Sequence, residues 1–184
     1  MLETLKKEEI KVLFSEEDIA AKIKELGETI SDDYKDSESL IIVGVLKGSF
    51  MFTADLVRQI KVPCQMEFIK LSSYEDGTES SGKIKAVDLS LPALEGKDVL
   101  IVEDIVDSGR TAKFLKDYFD NQVETETCKI AALFDKPSRR LAEFKDIQAD
   151  YTGFVIDDHF IVGYGLDYAQ KFRELPYVGC IELD

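Results

Sequence analysis

The sequence predicts an α/β fold in which a parallel sheet is flanked by helices, and three observations predict it. Short apolar, mostly β-branched runs recur at 40–45, 99–102 and 130–134. Segments with helical spacing lie between them. The two kinds of segment alternate along the chain, which is the pattern of helices covering a parallel sheet. Runs free of polar residues fit strands buried on both faces.

In chain order, Ser15-Glu16-Glu17-Asp18 has the form of a capping box, and Ile19, Ile23, Leu26 and Ile30 then recur on one helical face. The 40–45 run is the first strand and 49–60 follows as helix. The 99–102 run is a further strand, 111–119 a helix and 130–134 another strand. Between 72 and 85 the chain is polar, with Ser72, Ser73, Gly77, Ser80, Ser81 and Gly82. Strand-like sequence flanks this stretch closely, so it predicts a flexible functional loop rather than a linker.

The chain of 184 residues has room for one domain with a substantial core, spanning 1–184, and none for a second full domain. It carries 37 acidic and 23 basic residues, a net charge of -14. That field repels polyanions, so no nucleic acid partner is expected. A phosphorylated small molecule would have to be held against the same field by Mg²⁺, helix N-termini and a few placed cations. The N-terminal segment lacks the apolar centre of a signal peptide and no apolar run is long enough to span a bilayer, so a cytoplasmic location without membrane contact is expected. Cys64, Cys128 and Cys180 lie far apart without metal or redox spacing, which argues against structural zinc and a disulfide framework.

The densest chemistry lies in Val99-Leu100-Ile101-Val102-Glu103-Asp104-Ile105-Val106-Asp107-Ser108-Gly109-Arg110-Thr111-Ala112. Here a buried strand is expected to end at Glu103 and Asp104, before a turn rich in Asp, Ser, Gly and Thr leads into a helix. Ligands of open α/β sheets gather at the carboxyl ends of the strands. Backbone N–H groups with the Ser108 and Thr111 hydroxyls can cradle a phosphate at the helix N-terminus. Glu103 and Asp104 would repel that phosphate, and suit accepting hydrogen bonds from sugar hydroxyls directly or through a metal. Taken singly, each residue has a plainer use, since Asp and Ser cap helices at ordinary βα turns. Neither G-x-x-x-x-G-K-[ST] nor G-x-G-x-x-G occurs in the chain. The segment instead resembles the phosphoribosyl pyrophosphate motif of the type I phosphoribosyltransferases.

That likeness extends from about Leu40 to the C-terminus and is to the hypoxanthine-guanine branch. It implies the type I phosphoribosyltransferase core, with a small hood built from terminal segments. It also implies that Glu103, Asp104, Ile105, Asp107, Ser108, Gly109, Arg110 and Thr111 contact the phosphoribosyl donor. Leu46-Lys47-Gly48-Ser49 resembles the family's pyrophosphate loop, in which Gly48 lets backbone approach an anion and Lys47 supplies charge. The Leu-Lys peptide of that loop can be cis in the family. Ser73-Tyr74 resembles the opening of a flap whose closure excludes water from the reaction. In Phe134-Asp135-Lys136-Pro137, the resemblance gives Lys136 a hydrogen bond to the purine 6-oxo group. A 6-amino group would leave that cation unpaired.

Phe160-Ile161-Val162-Gly163-Tyr164-Gly165-Leu166-Asp167-Tyr168, followed by Phe172-Arg173, resembles the family's purine and pyrophosphate segment. By that likeness Phe160 stacks on the base and the Ile161 backbone meets the purine's far edge. Asp167 holds Mg²⁺ together with Glu103 and Asp104, and Arg173 grips pyrophosphate. Two positions depart from the family pattern: Glu75 stands where Gly is frequent, and His159 where Lys is common.

The implied reaction is attack by a purine nitrogen on C1 of the ribose as Mg-bound pyrophosphate leaves, with positive charge developing on the sugar. Asp107 is the implied catalytic residue, lying near N7 of the base. The activity so implied is purine salvage, making IMP or GMP from hypoxanthine or guanine. A xanthine-preferring enzyme and a non-catalytic sensor of phosphoribosyl pyrophosphate are the alternatives. The sensor would need a basic face or an added module, which a chain of this charge and length lacks. Family analogy implies a homodimer or homotetramer.

Overall fold

The computed structural model describes residues 9–73, 84–88 and 91–181. The first helix forms as its local sequence dictates. The Asp18 N–H donates to Ser15 Oγ at 3.1 Å and the Ser15 N–H donates to Asp18 Oδ2 at 3.0 Å, closing the expected capping box. Helix α1, Glu16–Asp33, then buries Ile19, Ile23, Leu26 and Ile30 in the core.

The main sheet is built from β2 (Leu40–Leu46), β3 (Cys64–Ser73), β4 (Ile84–Asp88), β5 (Asp98–Val106), β6 (Thr127–Asp135) and β7 (Tyr151–Val155). Their order is β4-β3-β2-β5-β6-β7, and all but the edge strand β4 run parallel. Alternate residues of the central strands feed two cores. Ile42, Leu100, Val102 and Leu133 pack with α1 and with Phe52 and Leu56 of α2, Phe50–Val57. Ile41, Val43, Val45, Ile101 and Ala132 pack with Ala112 and Leu115 of α3, Arg110–Tyr118. Burial on both faces is the reason these strands carry unbroken apolar sequence.

Element boundaries move where pairing overrides local preference. The 49–60 helix is shorter, at Phe50–Val57, and the 111–119 helix runs into a π turn at Phe119–Val123. The larger correction concerns β5. It does not end at the acidic pair, because Ile105 and Val106 still pair with Phe134 and Asp135 of β6. Glu103 and Asp104 therefore sit inside the ladder, held extended by their neighbours rather than by their own weak strand preference.

A second, antiparallel sheet has the order β1-β9-β8, from Lys11–Phe14, Val178–Ile181 and Phe160–Val162. Ile10, Val162, Phe172, Leu175 and Ile181 form its own small core. This is the hood of terminal segments that the family resemblance implied. Cys64 and Cys128 are half-buried thiols and Cys180 is a buried one. Among the described residues no helix is long and apolar enough to cross a membrane. Ser73 ends β3 opposite Ile84. Tyr74 and the rest of the polar stretch through residue 83 lie outside the described residues, as does the Glu75 departure.

Candidate active site

The carboxyl end of β5 opens into a cavity of about 230 Å³, lined by Glu103, Asp104, Ile105, Asp107, Ser108, Gly109 and Thr111. Gly109 adopts a φ of +87°, a left-handed conformation that favours glycine, and its carbonyl accepts from the Lys113 N–H as α3 begins. The cavity thus faces the N-terminus of a helix, with its partial positive charge. Arg110 is the first residue of that helix and is half-buried, as are Ser108 and Thr111.

Glu103 is buried and its Oε1 has no hydrogen-bond partner. Burial, reinforced by the neighbouring Asp104 charge, holds its carboxyl well above the usual carboxylate range. Burial also pushes Asp104 up to about 6, against the pull of the Ile105 N–H, 2.9 Å from Oδ1, and of the Arg173 charge. A buried oxygen without a partner is costly.

The Gly48 loop packs on Asp104 of this pair, Gly165 packs on that loop, and the Arg173 side chain holds Gly165 in place. The peptide between Leu46 and Lys47 is cis, the geometry the resemblance allowed. A Cβ on Gly48 would lie 1.5 Å from Asp104 Oδ2, so the loop passes against the carboxylate with no room for a side chain. Gly165, at φ +99°, approaches so closely that its own Cβ would meet the Gly48 carbonyl at 2.1 Å. Arg173 anchors this junction, with one nitrogen donating to the Gly165 carbonyl and the other paired with Asp167 Oδ1, each at 2.6 Å. Gln170 joins the group, its N–H donating to Asp167 Oδ2 at 2.8 Å and its Oε1 accepting from Lys47 Nζ at 3.2 Å.

A second cavity, of about 530 Å³, lies between the end of β6 and the hood. Asp107, Lys136, Arg139, Asp158, His159, Phe160 and Ile181 line it. Lys136 is buried, its Nζ donates to the His159 carbonyl, and its N–H donates to the Val106 carbonyl at 3.0 Å. Phe160 is exposed in the cavity, with its ring edge-to-face with Tyr168 at 5.7 Å. Ile161 is buried in the hood opposite Cys180. Asp107 lines both cavities. Its Oδ1 accepts from Arg139 Nε at 3.3 Å, and Arg139 also pairs with Asp158 at 3.5 Å.

A sequence model of the phosphoribosyl transferase domain matches residues 10–169 of this chain. The hypoxanthine-guanine phosphoribosyltransferase of Streptococcus pyogenes is 47% identical over 172 residues, 94% of this chain and 93% of that protein. The chain belongs to the hypoxanthine-guanine phosphoribosyltransferases. A solved hypoxanthine phosphoribosyltransferase from Staphylococcus aureus superposes with a TM-score of 0.89 at 40% identity, covering 99% of this chain and 97% of that one. The Trypanosoma cruzi hypoxanthine phosphoribosyl transferase gives 0.88 at 39% identity, covering 97% and 95%.

Within this hypoxanthine-guanine phosphoribosyltransferase chain, sequence reasoning passed over Gln170, Arg139, Asp158 and Arg140. Gln170 had no motif signal, since its role depends on a turn that brings it back to Lys47. Arg139 and Arg140 follow the singled-out Lys136 after Pro137 and Ser138, and a basic pair shortly after a strand end was the available signal.

Proposed function

We propose that the two cavities are the halves of one reaction site, in which the phosphoribosyl group of phosphoribosyl pyrophosphate is passed to hypoxanthine or guanine with release of pyrophosphate. The chain is a purine salvage transferase, and its residues divide the work. The observation that carries the proposal is the position of Asp107, shared by a phosphate-sized cavity at a helix N-terminus and a base-sized one containing a buried lysine.

In this reading the 5′-phosphate sits against the Asp107–Thr111 turn, where N–H groups and hydroxyls face it. Glu103 and Asp104 accept from the ribose hydroxyls. Lys47 and Arg173 grip pyrophosphate, and the Ser73-Tyr74 flap closes over the donor. The base stacks on Phe160 with its far edge at the Ile161 backbone, while Lys136 donates to the 6-oxo group. The Asp107 carboxylate holds the N7 proton as positive charge grows on the sugar.

Mg²⁺ fits this site on its chemistry. Among the described residues no group of three or more Asp, Glu, His or Cys is arranged to cage a metal alone. Mg²⁺ ordinarily keeps waters and shares substrate phosphates with one or two carboxylates. Glu103, whose buried oxygen lacks a partner, Asp104 and Asp167 would supply those hard oxygens. A metal held by these carboxylates would supply positive charge to stabilise the departing pyrophosphate.

The enzyme works as one domain in the cytoplasm and as an oligomer of identical chains. Phe50, Met66 and Phe68 are exposed, and Phe68 lies over Gly44 beside Thr53 of α2, so an apolar strip borders the Lys47–Gly48 loop. In the Trypanosoma cruzi hypoxanthine phosphoribosyl transferase the C-terminal region has a role in oligomeric state and enzymatic activity. The deciding experiment is nucleotide formation from phosphoribosyl pyrophosphate with hypoxanthine, guanine, xanthine and adenine, with and without Mg²⁺. Metal-dependent IMP and GMP are expected. Turnover of xanthine above both would favour the xanthine-preferring reading, and donor binding without turnover the sensor.

A further inference from the structure

Arg140 follows the short 3₁₀ turn Pro137–Arg139, and its side chain is only 5% exposed. A guanidinium cannot shed its charge, so burying it requires acceptors at nearly every N–H. All but one of the acceptors it finds belong to the backbone or anchors of the site. Its NH1 donates to the Val106 carbonyl at 2.7 Å and to the Asp107 carbonyl, the first residues of the phosphate turn. The Lys136 carbonyl lies 3.5 Å from the same nitrogen. Its NH2 pairs with Asp135, the residue before Lys136, and its Nε donates to the Ile147 carbonyl at 3.0 Å.

The stem of Arg140 contributes a second contact. A Cβ on Gly109 would lie 3.2 Å from Arg140 Cδ, so the aliphatic part of the side chain backs the phosphate turn at its left-handed residue. The next backbone link runs the same way, with the Leu141 N–H donating to the Ser108 carbonyl at 3.2 Å. Meanwhile Arg139 holds the carboxylate of Asp107 from the purine side. Consecutive arginines therefore grip one aspartate, Arg139 by its side chain and Arg140 by its carbonyl.

We infer that Arg140 is a positioning residue for the transfer reaction: its buried guanidinium locks Asp107 and Lys136 into one rigid unit, so that the N7 carboxylate and the 6-oxo lysine face the same purine. The inference rests on the assignment of Asp107 to N7, and deepens it. Arg140 touches no substrate and acts through the residues it holds.

A double-mutant cycle on kcat tests it, using Arg140→Lys, which keeps charge and most of the stem but loses the planar fork. Melting temperature and near-ultraviolet circular dichroism fix the folded fraction of each variant. On folded protein, Arg140→Lys is expected to lower kcat at least tenfold. In an Asp107→Asn background the same change is expected to cost less than threefold, because the group being positioned is already lost. A guanidinium ion at millimolar concentration should restore several-fold of the kcat missing from Arg140→Ala while leaving wild type unchanged. A kcat within twofold of wild type for folded Arg140→Lys, or costs that multiply in the double variant, overturns the inference. Wild-type kcat in Asp107→Asn alone overturns instead the N7 assignment beneath it.

Discussion

The two halves of the site are built in opposite ways. The donor half is centred on one continuous stretch, Glu103 to Thr111, shaped by a strand end, a left-handed glycine and a helix N-terminus, with the Lys47–Gly48 loop and Arg173 added at its edge. The purine half is assembled from Lys136 after β6, Phe160 on β8, Ile181 on β9 and the returning Asp107, brought together by sheet pairing and a buried cation. Backbone groups dominate the first and side chains the second. A half made by local conformation tolerates changes elsewhere in the fold, whereas a half made by convergence depends on every element that converges.

Asp107, common to both halves, offers the largest test of this contrast. Asp107→Asn keeps size and loses the charge proposed to hold the N7 proton, so kcat should fall by roughly 10²- to 10⁴-fold, with the donor KM little moved. Steady-state kinetics decides it, and a near wild-type kcat with a raised donor KM would make Asp107 a part of the phosphate turn only. Next in size, Gly48→Ala strikes the donor half alone. The added methyl meets the Asp104 carboxylate at 1.5 Å and must displace it. Overpacking of this kind typically costs roughly 1–3 kcal/mol, so kcat/KM for phosphoribosyl pyrophosphate should drop by about tenfold or more. Equal losses when purine is varied at saturating donor would erase the division between halves.

Lys136→Gln strikes the purine half. A neutral amide accepts from a 6-amino group as readily as it donates to a 6-oxo group, so the preference for hypoxanthine over adenine should shrink by about tenfold, the scale of one unpaired buried polar group. An unchanged ratio of the two turnover rates would remove Lys136 from the base. The smallest effect is expected from Asp167→Ala, since Asp167 is already engaged by Arg173 and Gln170. Its loss should raise the Mg²⁺ concentration needed for half-maximal rate by severalfold, and titration of metal against initial rate would show it.

The same contrast explains what the sequence revealed. The donor half was legible because its physics is local: the acidic pair, the turn residues and the helix start are adjacent letters. The sheet core was legible for a related reason, since strands buried on both faces leave unbroken apolar runs. The purine half was legible only through family likeness. Nothing local to Phe160 or Ile161 distinguishes a base-stacking ring from core packing, because their strand β8 pairs with β9, which in turn is held by β1 at the other end of the chain. The position of Glu103 and Asp104 within β5 was misjudged for the same cause, a ladder with β6 that no window of sequence contains. Arg140 stayed hidden because all its acceptors but the Asp135 carboxylate are carbonyls, which every residue carries.

The hood has a consequence for the birth of the chain. Lys11 lies opposite Cys180 and Val12 opposite Gly179, so one of the earliest strands waits for one of the latest. Synthesis from the N-terminus completes the parallel strands through Val155 while β9 has yet to be made. Closing so long a span costs entropy that only the finished pairing returns. On the ribosome, the donor half can therefore take shape while the growing end is still tethered. The purine cavity gains its Ile181 wall only when β9 has emerged and docked beside β1 and β8. A nascent chain stalled before Val178 would carry a phosphate turn with no enclosed seat for a base.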